Sequence, residues 1–150
     1  MQQIIKKHLT LLLVLLASMA TFTSCDDDEG YAIDVRDLPS QAWDFLDYYY
    51  YDIPVVEAFY YGSGSDGYYR VNLADGTGIG FDAWGKWYFV SAPWDSSVPV
   101  GIIPPRIINF VGYYYPYEAI VSITITGYGY DIILSNGTEL SFDHYGEVYD

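Results

Sequence analysis

The sequence predicts an α+β fold: two tandem α-β4 units whose helices cover one face of an antiparallel sheet. Three observations carry this reading. The first is composition. The 150 residues include 18 Tyr, 7 Phe and 4 Trp against 6 Lys plus Arg, and 51% are apolar. That is core material for one domain, rich in residues that suit pleated, half-buried surfaces. The second is internal repetition. "LPSQAWDFLDYYYYDIPVV" (38–56) aligns with "IPPRIINFVGYYYPYEAIV" (103–121), and "LADGTGIGFDAWGKW" (73–87) with "LSNGTELSFDHYGEV" (134–148). The third is a change of period inside each copy, from helical spacing to strand alternation.

Taken in order, residues 1–24 read as a signal peptide, with Lys6 and Lys7 ahead of an apolar run from Leu9 to Ala20. The run is too short for a membrane span. "FTSC" resembles a bacterial lipobox and makes Cys25, the single cysteine, the predicted lipidation site and membrane anchor. One cysteine excludes an intrachain disulfide and a Cys-ligated metal cluster. Residues 25–37 read as a solvated acidic tether, opening with "DDDEG" at 26–30.

The domain proper spans 38–150, as repeat one (38–90), a linker (91–102) and repeat two (103–150). Pro39 and Pro104 stand near helix starts, where a missing N–H is harmless. Ala42, Phe45, Leu46 and Tyr49, and again Ile107, Phe110, Val111 and Tyr114, form single apolar stripes that need a sheet to cover. The tyrosine runs at 48–50 and 113–115 spread around the helix axis, so some are buried and some exposed. Pro54 and Pro116 close the helical stretches.

Strands are expected at 55–61, 68–73, 77–81 and 86–90, then at 120–126, 130–134, 138–142 and 147–149. Alternation puts Val56, Ala58, Tyr60, Tyr69, Val71, Leu73, Ile79 and Phe81 under the helices. Their counterparts are Val121, Ile123, Ile125, Tyr130, Ile132, Leu134, Leu140 and Phe142. The other face is polar with scattered aromatics, the mark of a sheet with one wet side. Its candidate partner-binding residues are Phe59, Tyr61, Tyr68, Arg70, Asn72 and Tyr88. Gly78 and Gly80 lie on that side as a flat strip. Asp75-Gly76 and Asn136-Gly137 read as two-residue hairpin turns, and Asp82 and Asp143 open the next turns. Trp94 in the linker either pins it to the body or faces a partner.

The ordered set Leu38-Pro39, Leu73, Asp75-Gly76-Thr77 and Phe81-Asp82 with Gly85 recurs. Its second copy is Ile103-Pro104, Leu134, Asn136-Gly137-Thr138 and Phe142-Asp143 with Gly146. This doubled set resembles the PepSY-like, beta-lactamase-inhibitor-like domain of Bacteroidetes secreted proteins. The resemblance implies a BLIP-like fold and a noncatalytic role in binding a protein or peptide through the open sheet face, as an inhibitor of a peptidase or hydrolase would. The acidic run after Cys25 resembles the export signal of surface-exposed lipoproteins, so surface-exposed and periplasm-facing orientations at the outer membrane both stay open.

Charge narrows the partners. The formal charge is −14, and the chain from Cys25 loses Lys6 and Lys7. Nucleic-acid binding needs a basic patch that is not there. Past the signal the only histidine is His144, in a turn whose counterpart is Ala83, which argues against a Ser-His-Asp triad. "GSGSDG" (62–67) joins two strands rather than a strand and a helix, so no dinucleotide or other cofactor is expected. Asp75, Asp82 and the acids at 26–29 are the only calcium candidates, without a ligand-loop spacing. The alternatives to a binding module are a structural envelope component and a carboxylate-based hydrolase.

Overall fold

The computed structural model describes residues 30–62 and 66–149. The signal segment, Cys25 and the acids at 26–29 lie outside the described residues. The strands are β1 (Tyr31–Ala32), β2 (Val55–Tyr61), β3 (Tyr68–Leu73), β4 (Gly78–Asp82), β5 (Trp87–Ser91), β6 (Ile120–Ile125), β7 (Gly129–Leu134) and β8 (Glu139–Asp143). They form one eight-stranded sheet in sequence order, and every neighbouring pair is antiparallel. Two helices, α1 (Ser40–Tyr49) and α2 (Pro105–Tyr114), complete the α+β architecture.

Both helices pack on the same side of the sheet. Ala42, Phe45 and Leu46 of α1, with Ile107 and Val111 of α2, join a core with Val71, Ile79, Phe81, Val90, Ile123, Ile132, Leu134 and Phe142. Two edge-to-face ring pairs anchor the layers. Phe45 meets Phe81 at 5.6 Å and 83°, and Phe110 meets Phe142 at 5.3 Å and 83°. Such geometry adds to the burial of the rings themselves. Pairing of Phe89, Val90 and Ser91 with Thr124, Ile123 and Ser122 joins the two halves of the sheet.

Four hairpin loops share one construction. The N–H of Leu73, Asp82, Leu134 and Asp143 bonds the carbonyl four residues on, at Thr77, Lys86, Thr138 and Glu147. Each loop therefore has three residues rather than the two expected at Asp75-Gly76 and Asn136-Gly137. The third is a glycine in the left-handed region: Gly76, Gly85, Gly137 or Gly146. The side chains of Asp75, Asp82, Asn136 and Asp143 accept the backbone N–H two residues ahead.

A bulge between Val55 and Glu57 turns Val55 inward and leaves Val56 57% exposed, against the simple alternation. The same irregularity falls between Ile120 and Ser122. The extra residue there, Val121, is buried beside the linker, where its carbonyl accepts the Ala92 N–H. The expected tether does not run to Asp37: Tyr31–Ala32 pairs with Tyr60 and Phe59, and Val35–Asp37 forms a 3-10 turn. Too few alternating residues mark so short a strand. The strand expected at 147–149 reduces to a bridge between Phe142 and Val148. Trp94 is 65% exposed, and the linker is pinned by Val98, Ile102 and Ile103 instead.

Two predictions follow from this packing. At both Gly85 and Gly137 an alanine enters the left-handed region, at about 1–2 kcal/mol. At Gly85 a Cβ also meets Ala42 N and Pro39 Cβ at 2.8 Å, whereas nothing lies within 4 Å of one at Gly137. Gly85→Ala is expected to lose about 3 kcal/mol and Gly137→Ala about 1, read from urea midpoints. Equal losses would show that the β4–β5 turn does not press on the start of α1.

Tyr50, just past α1, is 6% exposed, and its hydroxyl has no hydrogen-bond partner among the described residues. Burial, reinforced by the negative charge of Asp75, raises its pKa well above the ordinary tyrosine value. The neutral phenol is thus favoured by folding. Stability tied to it is complete below pH about 10 and is lost as pH rises from there towards the folded-state value. Tyr50→Phe is expected to hold or raise stability at pH 7 and to flatten the alkaline decline in unfolding free energy. A loss above about 1 kcal/mol at neutral pH would mean that the hydroxyl is bonded.

Candidate aromatic face of the open sheet

Sheet register sorts the open side into rows of side chains. One row runs Phe59, Arg70, Gly80, Phe89, Thr124, Asp131, Ser141 across β2 to β8. The next, towards the hairpin loops at Gly76 and Gly137, runs Glu57, Asn72, Gly78, Ser91, Ser122, Ile133, Glu139. On the other flank Tyr61 pairs with Tyr68, and Tyr68 with Asp82. Among the described residues no helix packs on this side; the stripes of α1 and α2 belong to the core on the other face.

All six candidate residues lie in the half of the face built by β2 to β5. Tyr61 and Tyr68 stack at 4.9 Å with rings 3° apart, and Tyr88 stands edge-on to Tyr68 at 6.2 Å. Arg70 places its guanidinium carbon 5.3 Å from the centre of the Phe89 ring, a cation–π arrangement. Phe59 lies opposite Arg70 in register. Asn72 sits apart from the rings and donates to Glu57 at 2.9 Å. Cys25 lies outside the described residues.

A bulge in β5 concentrates the aromatics. Gly80 pairs with Phe89 and Phe81 with Trp87, so Tyr88 is the extra residue. Trp87 turns to the core, 6.0 Å from Phe45. Tyr88 and Phe89 both end on the open side. A Cβ on Gly80 would lie 2.7 Å from the Tyr88 ring. The flat strip expected at Gly78 and Gly80 is therefore half covered, because Tyr88 lies over Gly80 while Gly78 stays half-exposed. Burial pushes the Tyr88 hydroxyl above its ordinary pKa, and Arg70 beside it opposes the shift.

Phe89 and Ile133 were missed as open-face residues. Strict alternation cannot place Phe89 across an unseen bulge. Ile133 sits between the core residues Ile132 and Leu134, so the sequence reads as one apolar run.

The acids behave differently by position. Asp82 accepts Trp84 N–H and Lys86 N–H, and Asp75 accepts both N–H and hydroxyl of Thr77, so their oxygens hold turns. Asp131 accepts the hydroxyls of Tyr128 and Ser141. Glu57 and Glu139 are exposed at opposite ends of their row. His144 is an exposed turn residue whose Nε2 lies 3.2 Å from the Gly127 carbonyl. Among the described residues, no three His, Cys, Asp or Glu side chains cluster as metal ligands.

Comparison with known proteins adds context. A family model described as "Putative beta-lactamase-inhibitor-like, PepSY-like" matches residues 67–150. A solved structure described as a "putative calcium-regulated periplasmic protein" from Bacteroides thetaiotaomicron is 31% identical. That match covers 81% of this chain and 95% of that one, with a TM-score of 0.75. A "putative periplasmic protein" from Bacteroides vulgatus is 32% identical, over 82% of this chain and 96% of that one, with a TM-score of 0.75. A second from Bacteroides vulgatus, "of unknown function", is 27% identical over 81% and 97%, with a TM-score of 0.76. No curated protein sequence matches significantly.

Displacing Tyr88 tests the site's packing. Gly80→Ala is expected to lift the ring off β4, and the Tyr88 hydroxyl then titrates closer to the ordinary tyrosine value of 10.0. Tyrosine ring carbon shifts followed by NMR against pH would read this. An unmoved Tyr88 titration would mean that the ring is held by Tyr68 and Arg70 rather than by the bare glycine.

Proposed function

The chain belongs to the PepSY-like, beta-lactamase-inhibitor-like family, and from that premise we propose that it is a noncatalytic binding module of the cell envelope. In this reading it takes a protein or peptide partner on the open sheet face, in the manner of an inhibitor. The single observation that carries it is the Tyr61–Tyr68–Tyr88 cluster with Arg70 over Phe89. Tyrosine and arginine are among the residue types that dominate binding energy at protein interfaces, and here they share a sheet side that α1 and α2 leave open. The two halves are read as a duplicated α-β unit in which the first copy kept the aromatics.

Export is part of the same reading. The related structures are all described as those of a "putative" periplasmic protein. Residues 1–24 are read as the signal peptide, and Cys25 as the lipidated residue that holds the module at the outer membrane. Calcium regulation is a property in the description of the Bacteroides thetaiotaomicron protein and is not taken over here; Asp75 and the Oδ1 of Asp82 hold their own turns, and the acids at 26–29 lie outside the described residues.

The test is capture from envelope extract by the immobilised full chain, compared with a Tyr61→Ala/Tyr68→Ala double variant of matched circular dichroism. A specific partner is expected to be lost at least tenfold in the variant. Equal capture by both would overturn the open-face reading.

A further inference from the structure

The partner's chemistry is written in the charge and relief of the same face. Among the described residues the cations are Arg36, Arg70, Lys86 and Arg106. Arg36 pairs with Asp34 and Arg106 with Glu147. Arg70, the one cation of the open-face rows, rests on Phe89. Against it stand Glu57, Asp131 and Glu139 in the same rows, in a chain of formal charge −14. Such a field draws positively charged partners and repels acidic ones.

Relief adds direction. Between Glu57 and Glu139 the row holds Asn72, Gly78, Ser91, Ser122 and Ile133. Gly78 has no side chain, and Ser122 is 6% exposed. Gly78, Ser91 and Ser122 make a low floor in the middle of the row, beside Tyr88 and Phe89, with Asn72 and Ile133 flanking it and a carboxylate at each end. Six strand spacings separate the two glutamates, about 29 Å. An extended segment of about nine residues spans that distance.

We propose that the open face takes an extended segment of a basic polypeptide, laid across the strands along this row. Lysine or arginine near its two ends meets Glu57 and Glu139, and apolar side chains between them lean on Tyr88 and Phe89. The proposal rests on the binding reading above and adds to it the charge and length of the partner.

The probe is a nine-residue peptide with lysine at both ends and apolar residues between, beside analogues ending in glutamine and in glutamate. Binding to the full chain is followed by fluorescence anisotropy. The lysine peptide is expected to bind at least tenfold more tightly than the glutamate one and to weaken steeply with added salt. Glu57→Lys/Glu139→Lys is expected to weaken it about tenfold. The control Asp44→Lys/Asp47→Lys, on the exposed side of α1, should change it less than twofold. Equal loss in the control, or no preference for lysine, would overturn the proposal, as would no binding by any peptide. If all three peptides bind alike and all fail with Tyr61→Ala/Tyr68→Ala, the open-face reading survives and the basic partner does not. If neither face pair affects binding, both readings fall.

Discussion

A sheet has two faces, and this chain has apolar stripes enough to cover one of them. That constraint is met at two ring contacts, Phe45 on Phe81 and Phe110 on Phe142. Each fixes the height and heading of a helix over the strand below, and the aliphatic residues around them fill the remaining space. Phe81 and Phe142 each sit near the end of a strand that leads into an Asp-opened, glycine-closed loop, and those loops reach back to the helix starts. Gly85 comes to Ala42 and Pro39, and Gly146 to Arg106 and Ile107. Helix, strand and loop therefore position one another, and the second face of the sheet is left for other uses.

Much of this was legible because the physics is local. Helical spacing at Ala42, Phe45 and Leu46 survives any tertiary detail, as does the need for a positive-φ glycine at Gly76 and Gly137. Strand alternation was legible as far as it stayed strict. It failed at Val56, Val121 and Phe89, all next to bulges, where one extra residue inverts the faces beyond it. Bulges are decided by packing across strands and leave little trace in a single segment. β1 escaped for a different reason: a two-residue strand has no period to detect.

The site was legible as a list and not as an arrangement. Tyr61, Tyr68, Arg70 and Tyr88 could be assigned to one side from parity alone. That Tyr61 and Tyr68 stack, that Tyr88 lies over Gly80, and that Arg70 reaches Phe89 depends on cross-strand register. Register is set by loop length, and the loops here proved one residue longer than the Asp-Gly and Asn-Gly pairs suggested. At the matching positions of the second half, Thr124, Thr126 and Asp131 stand where Phe59, Tyr61 and Arg70 stand in the first. The face thus presents an aromatic half and a hydroxyl-rich half.

The junction between β5 and β6 has a bearing on how the chain folds. Every strand pairs with its neighbour in sequence, so most contacts close short loops. Two junctions are exceptions: Tyr31–Ala32 pairs with Phe59–Tyr60 across α1, and Phe89–Ser91 must find Ser122–Thr124 across the linker and α2. Three residue pairs carry the second, which closes the longest stretch of chain between neighbouring strands. The two halves can each condense around their own phenylalanine pair before they meet along this three-pair zipper. Until that zipper closes, the inner edges of β5 and β6 are bare, and a second copy of the chain offers the same edges for exchange.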